Sequence, residues 1–127
     1  MVPMFAAMIV ETIRWRRVDD DRLAGLPEGA LLRVMVKDRA IRFVRMGGVL
    51  RAMVDRCPHQ GKSFEGGWCD DGHVVCPWHR LHFDPVTGRC KFGMASNVEV
   101  FPVEERADGV HLGMPHTTVR VFGIDLW

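Results

Sequence analysis

Short apolar runs separated by turn residues occupy the first half of the chain. Three runs are rich in β-branched residues and short enough to be strands: Leu31-Leu32-Arg33-Val34-Met35-Val36, Ile41-Arg42-Phe43-Val44-Arg45 and Val49-Leu50-Arg51-Ala52-Met53-Val54. Lys37-Asp38-Arg39 separates the first two runs. Gly47-Gly48, a pair suited to the positive φ angles of a tight hairpin, separates the next two. This pattern predicts an antiparallel meander.

Residues 56–93 have a different character, because they contain all four cysteines and many of the glycines. Within this segment Asp71-Gly72 is a turn signal. The run His73-Val74-Val75-Cys76 that follows is predicted to be a short strand that carries Cys76 to a loop. We therefore expect a loop-rich insert within a β scaffold.

The strand pattern returns after the insert. Val98-Glu99-Val100-Phe101-Pro102-Val103 is predicted to be a strand, and Asp108-Gly109 is predicted to turn into Val110-His111-Leu112 as a final hairpin. Residues 118–127 alternate in polarity well enough to add an edge strand. No amphipathic helix is predicted, although residues 19–26 could form a single turn. The expected fold is all-β, with small antiparallel sheets in a barrel or sandwich and a loop-rich subdomain.

Length and composition agree with one folded unit. The chain has 127 residues and a mass of 14.4 kDa, and 47% of its residues are hydrophobic. This is the size and composition of one ordinary globular domain. We expect a single domain over residues 1–127, with the insert at about 56–93 and terminal extensions at 1–10 and 114–127.

The charge pattern gives no reason to expect a nucleic-acid or membrane partner. Seventeen Lys and Arg nearly balance 16 Asp and Glu, and no long run of one sign occurs. The apolar opening, residues 1–10, is about half the length of a membrane span and lacks the charged start of a secretory signal. We therefore expect a cytoplasmic protein with no membrane association.

Four cysteines in such a chain favour metal or redox chemistry over a disulfide framework. Two short motifs, Cys57-Pro58-His59 and Cys76-Pro77-Trp78-His79, each offer one thiolate and one imidazole. A zinc finger usually groups its cysteines in one half and its histidines in the other. The mixed halves suit a two-iron cluster approached by two loops, and Rieske centres have this ligand set. The prolines favour extended cysteines, which keeps both loops out of helix.

The segment C-P-H-x16-C-P-W-H, followed by Phe83-Asp84 and Thr87-Gly88, resembles the cluster-binding region of Rieske ferredoxins. The similarity covers roughly residues 11–113. It implies a small all-β domain whose cluster loops project at one end. It also implies a [2Fe–2S] cluster with Cys57 and Cys76 on the inner iron and His59 and His79 on the exposed iron.

The same resemblance implies an electron-transfer component rather than an enzyme. It suggests a ferredoxin that passes single electrons from a flavin reductase to a terminal oxygenase. A small fixed subunit of a larger oxidoreductase, similar to the small subunits of nitrite reductases, is the alternative. A zinc-bearing interaction module is a second alternative from a different class, since tetrahedral zinc also accepts two cysteines and two histidines.

The chain departs from the family pattern at three positions. Respiratory Rieske proteins carry a second cysteine in each motif, and these cysteines pair; here Lys62 and Trp78 take those positions. Arg80 follows the second histidine, where the family usually has glycine, and is expected to change the turn or add a charge. The chain has no tyrosine and Leu81 has no hydroxyl, so we expect a potential near the low end of the Rieske range, about −150 mV.

Several nearby residues receive a simpler interpretation. Cys69 and Cys90 match no ligand position and are expected to be free thiols, with a reversible disulfide as the lesser alternative. His73 and His82 are expected to be ordinary hydrogen-bonded histidines. Phe64 and Trp78 are candidates for covering the cluster, where an apolar shell affects the potential.

Overall fold

The computed structural model describes residues 7–126, and almost all of its regular structure is β. The strands, in chain order, are β1 (Ala7–Val18), β2 (Leu31–Val36), β3 (Arg39–Met46), β4 (Val49–Val54), β5 (Trp68–Asp70), β6 (His73–Val75), β7 (His82–Phe83), β8 (Val100–Phe101), β9 (Val103–Arg106), β10 (Gly109–Val121) and β11 (Ile124–Asp125). A single 3₁₀ turn at Lys91–Gly93 is the other regular element within 7–126. No helix in this part of the chain is long and apolar enough to cross a membrane.

The strands form three antiparallel sheets. The meander sheet has the order β2-β3-β4-β8, and the terminal sheet has the order β1-β10-β11, with β9 also paired to β10. The insert sheet has the order β5-β6-β7 and lies within residues 56–93. The expected all-β fold with a meander and a loop-rich insert is confirmed. The meander turns follow Val36, paired with Arg39, and Met46, paired with Val49, as the sequence predicts.

The strand expected over residues 98–103 is two strands that belong to different sheets. Val100 pairs with Met53 in the meander sheet, whereas Val103 pairs with Leu112 in the terminal sheet. Pro102 separates them because it has no amide to donate to a ladder. Its carbonyl accepts a bond of 2.9 Å from the Gly113 amide. The expected single strand is therefore wrong at Pro102, where the chain crosses from one sheet to the other.

Strand β3 is buried on both faces and joins two cores. Its alternate residues point to opposite faces, so Ile41 and Phe43 enter the core between the meander and terminal sheets. Val44 enters the second core, which also contains Cys57 and Cys76. The insert is therefore packed directly on the central strand of the meander, and this packing positions its loops.

The two ends of the described chain pair with each other. The ladder between β1 and β10 runs from Ala7 opposite Val121 to Val18 opposite Val110. The last residues of β10 extend this ladder and β11 folds back on them, so the strand expected in the tail is present. Residues 1–6 and 127 of the expected terminal extensions lie outside the described residues.

Candidate metal centre

Two loops with matching backbone closures carry the candidate ligands. We call residues 57–62 the first donor loop and residues 76–81 the second donor loop. In the first, the Cys57 amide donates to the Lys62 carbonyl at 2.7 Å. In the second, the Cys76 amide donates to the Leu81 carbonyl at 2.9 Å. Each cysteine therefore starts a loop that returns to it five residues later.

The fourth residue after each cysteine has a left-handed backbone. Gly61 has φ +71° and Arg80 has φ +53°. Glycine adopts this region freely, whereas a residue with a Cβ atom is strained there. Arg80 thus occupies a turn that suits glycine, and the turn forms nonetheless. Arginine in place of the usual glycine was expected to change the turn or to add a charge. The turn is retained, and an exposed positive charge lies beside His79.

The two motif cysteines lie together inside the protein. Cys57 is 3% exposed and Cys76 is 1% exposed, and both belong to the same buried cluster. Burial raises the pKa of the Cys57 thiol to about 11; the His59 amide opposes this rise and the Cys76 thiol adds to it. A thiolate pair here would require a cation to compensate its charge, as a metal ion does.

The two motif histidines lie together at the surface. Both side chains are exposed, and their ring centroids are 4.6 Å apart in an edge-to-face arrangement. The structure therefore brings all four candidates into two neighbouring pairs, with sulfur donors inside and nitrogen donors outside. The His59 and Gln60 amides lower the pKa of the Cys57 thiol, so these backbone groups favour its charged form.

The arrangement of buried sulfur donors beside exposed nitrogen donors matches a two-iron cluster. No three His, Cys, Asp or Glu side chains in residues 7–126 converge as the ligands of one ion would. Structural zinc needs four ligands around a single centre. A Rieske cluster instead takes two cysteines on one iron and two histidines on the other. The donor set fits that cluster, and the zinc alternative finds no support in this geometry.

A cation–π contact joins the donor loops where a disulfide joins them in respiratory Rieske proteins. The Lys62 ammonium lies 3.9 Å from the centroid of the Trp78 ring. The indole Nε1 of Trp78 also donates to the Ser63 carbonyl at 3.3 Å. The loops therefore lack a covalent link and have a non-covalent one instead.

The two aromatic candidates for covering the site differ in position. Phe64 is fully buried, packs in the core that contains Cys57 and Cys76, and makes an edge contact with Phe83 at 5.6 Å. Trp78 is 54% exposed. Phe64 thus backs the cysteine pair from inside, whereas Trp78 lies on the outer surface next to His79.

Sequence reasoning missed a buried carboxylate that fixes the start of the insert. Asp55 follows β4 and accepts bonds from the Ser63 hydroxyl at 2.6 Å and from the Phe64 amide at 2.9 Å. Arg42 donates to the same carboxylate from two nitrogens, at 3.0 and 3.1 Å, and Arg33 donates to it at 3.1 Å. The acidic residue at the end of a strand, two positions before Cys57, was the available signal.

These bonds keep Asp55 ionised. Burial by itself would raise the pKa of this carboxyl, but the bonds from Arg42, Ser63 and the Phe64 amide outweigh burial and hold the pKa below its ordinary value. The charged carboxylate therefore ties Ser63 and Phe64, just beyond the first donor loop, to the meander sheet.

The remaining cysteines lie outside the donor loops and are free thiols, as expected. Cys69 pairs with Val74, Val74 with Phe83, and Phe83 with Cys90, so three strand spacings separate the two cysteines. At roughly 4.8 Å per spacing, this is far beyond the reach of a disulfide. The alternative of a reversible disulfide between them is wrong.

The two other histidines of the insert differ from each other. His73 Nδ1 lies 3.0 Å from the Asp71 carbonyl oxygen, as expected for an ordinary polar histidine. His82 Nδ1 is buried and has no hydrogen-bond partner among residues 7–126. The expectation of a satisfied histidine is therefore wrong for His82.

Comparisons with known proteins agree with the two-iron cluster that the donor geometry suggests. The family model of the Rieske [2Fe-2S] domain matches residues 16–102. The 3-phenylpropionate/cinnamic acid dioxygenase ferredoxin subunit of Shigella flexneri is 30% identical over 95 residues, which cover 73% of this chain and 89% of that protein.

Solved structures share the fold. The ferredoxin of carbazole 1,9a-dioxygenase from Nocardioides aromaticivorans superposes with a TM-score of 0.68 at 23% identity, covering 80% of this chain and 98% of that one. A chain in a complex of reduced oxygenase and oxidised ferredoxin in carbazole 1,9a-dioxygenase has a TM-score of 0.63 at 26% identity, covering 71% of this chain and 94% of that one.

Proposed function

Since the chain belongs to the Rieske [2Fe–2S] domain family, we propose that it is an electron-transfer component whose two donor loops hold the cluster. The proposed ligands are Cys57 and Cys76 for the inner iron and His59 and His79 for the outer iron. The observation that supports this assignment is the pairing of two buried thiols beside two exposed imidazoles.

Bound between these loops, the cluster supplies a one-electron redox couple. The exposed rings of His59 and His79 give that couple a short route to the surface. The Ser63 hydroxyl donates to Asp55, so it is not available to a cluster sulfur. With no tyrosine in the chain, this supports the expected potential near the low end of the Rieske range.

The proposed partners are a flavin reductase as donor and a terminal oxygenase as acceptor. Two observations support the oxygenase: the Shigella relative is named as a dioxygenase ferredoxin subunit, and the carbazole dioxygenase ferredoxin was solved together with its oxygenase. Substrate chemistry would then belong to the oxygenase, and this chain would be a carrier. A small fixed subunit of a larger oxidoreductase is the alternative, and stable co-purification with such an enzyme would favour it.

We also propose that the chain forms one domain and works in the cytoplasm. Val54 packs against both hydrophobic cores, which supports a single cooperative unit. The free thiols of Cys69 and Cys90 suit a reducing compartment. Cell fractionation with an antibody to the chain tests the location, and recovery outside the cytoplasmic fraction would contradict it.

Stopped-flow absorbance tests the electron-transfer proposal. Anaerobically reduced protein is mixed with the oxidised terminal oxygenase of a dioxygenase system, and one electron per chain is expected to move to the oxygenase. Cys57→Ser and Cys76→Ser should abolish the visible spectrum, whereas the matched variants Cys69→Ser and Cys90→Ser should retain both the spectrum and the electron yield. A reduced cluster that passes no electron to the oxygenase or to a flavin reductase would overturn the proposal.

A further inference from the structure

Basic side chains gather around a small surface pocket outside the donor loops. The pocket has a volume of about 150 Å³, and its polar lining is Arg14, Arg16, Lys37, Arg39 and His116. No aspartate or glutamate lines it. None of these residues lies in the insert, so the pocket is separate from the candidate metal centre.

The fold brings these residues together from two sheets. Arg14 and Arg16 are two positions apart on β1, so their side chains leave the same face of the strand. They stand opposite Met114 and Leu112 of β10. Lys37 lies in the tight turn between β2 and β3, where its φ is +47°, and Arg39 begins β3. The pocket thus forms where the terminal sheet meets a hairpin of the meander sheet.

Most of this positive charge has no carboxylate partner among residues 7–126. Arg39 pairs with Glu99 at 2.6 Å. Arg14, Arg16 and Lys37 form no ion pair within the described part of the chain. A concave site lined by one sign of charge attracts counter-ions.

We propose that this pocket binds the phosphate group of a small ligand. Guanidinium groups present planar sets of donors that match phosphate oxygens, and Lys37 adds a point charge. The volume suits one phosphate group and is below the roughly 300 Å³ of typical pockets for larger organic ligands. Phosphate carries nearly two negative charges at neutral pH and a carboxylate carries one, so phosphate compensates the positive charge of the pocket better. The ligand is either free phosphate or a simple phosphate ester.

Titration of the cluster-loaded protein with inorganic phosphate at constant ionic strength tests this proposal. NMR should show saturable shifts that are confined to β1, the β2–β3 turn and residues 114–116. Methyl phosphate is titrated in parallel. Tighter binding of methyl phosphate identifies an ester as the ligand class, whereas tighter binding of inorganic phosphate identifies the free ion. Acetate should produce no saturation at the same ionic strength.

Variants separate this site from general charge effects. Arg16→Gln should weaken phosphate binding at least tenfold, as expected for the loss of a charge-assisted contact. Lys37→Gln, in an exposed turn, should also weaken phosphate binding. This variant provides the test if Arg16→Gln does not fold. Arg51→Gln removes a strand arginine that lines a different pocket and should leave binding unchanged.

Three results of the titrations and variants would overturn the proposal. They are a non-saturating response to phosphate, an equal response to acetate, and an equal loss of binding in Arg51→Gln. An acidic peptide that binds the same residues and is not displaced by phosphate would also overturn it, because the surface would then recognise a protein partner.

Discussion

At the scale of single residues, Asp55 is the side chain on which the position of the first donor loop most depends. It is almost fully buried and bonds Arg42, Arg33, Ser63 and the Phe64 amide. Replacing it by Asn removes the buried charged partner of Arg42 and leaves only the exposed Glu65 carboxylate, which accepts from Arg42 at 2.9 Å. We expect Asp55→Asn to lower the free energy of unfolding by about 3 kcal/mol and to speed loss of cluster absorbance, as measured by urea unfolding followed at visible wavelengths.

Asp20→Asn is the matched control, because Asp20 bonds an exposed arginine, Arg22. Exposed ion pairs contribute little, so this variant should remain close to the wild type in stability. Equal losses in the two variants would show that Asp55 has no special role.

The lowered pKa of Asp55 also predicts a pH dependence. Its contribution to stability is fully present above the unfolded pKa of about 3.9 and is lost as the pH falls through the lower pKa of the folded state. The stability difference between the wild type and Asp55→Asn should therefore be constant from pH 7 to about pH 5 and should shrink below about pH 4. A difference that changes near neutral pH would assign the effect to another group.

A substitution at Arg80 is expected to stabilise the protein, unlike the substitution at Asp55. Its left-handed backbone is strained for a residue with a Cβ atom. Arg80→Gly should therefore raise the free energy of unfolding by about 0.5–1 kcal/mol, measured in urea, once the added freedom of glycine in the unfolded chain is subtracted. Arg56→Gly, at an exposed position without positive φ just before the first donor loop, should lower stability instead. Destabilisation by both changes would contradict the strain argument.

At the scale of elements, the contact between Lys62 and Trp78 joins the two donor loops without a covalent bond. An exposed cation–π contact stabilises by roughly 0.5–1 kcal/mol. Lys62→Gln should therefore speed the loss of cluster absorbance in denaturant by about twofold to fivefold. The matched control is Lys91→Gln, whose ammonium lies 5.4 Å from the Phe92 ring outside the donor loops. An equal rate increase in both variants would show that the contact does not hold the loops together.

Among the strands, the meander is the part that the sequence predicts well. The meander and its turns follow from local alternation and from Gly47-Gly48, since strand pairing there is between neighbours in the sequence. The break at Pro102 was missed because the apolar pattern continues across it, although a proline in a strand interior was a readable warning. Where a run of apolar residues changes sheets depends on long-range pairing that periodicity does not report.

At the scale of the whole molecule, the candidate ligands could be predicted from the sequence. The contacts that hold the donor loops in place could not. Cys57 and His59 share a motif, and so do Cys76 and His79, so local spacing suffices to identify them. The bonds of Arg42 to Asp55 join residues 13 apart, one on β3 and the other just after β4. The cation–π contact of Lys62 joins two separate loops. Such contacts arise only when the sheets pack, and a single sequence does not encode them in a readable local pattern.

Pulsed EPR of the reduced protein tests whether histidines bind the cluster, because nitrogens bound to the cluster couple to its unpaired electron. We expect couplings from two imidazole nitrogens, assigned to His59 and His79, in protein that contains two irons and two sulfides per chain. A reduced cluster without histidine nitrogen coupling would show that His59 and His79 are not its ligands. Colourless protein that binds a single zinc ion would show that the donor loops hold no two-iron cluster.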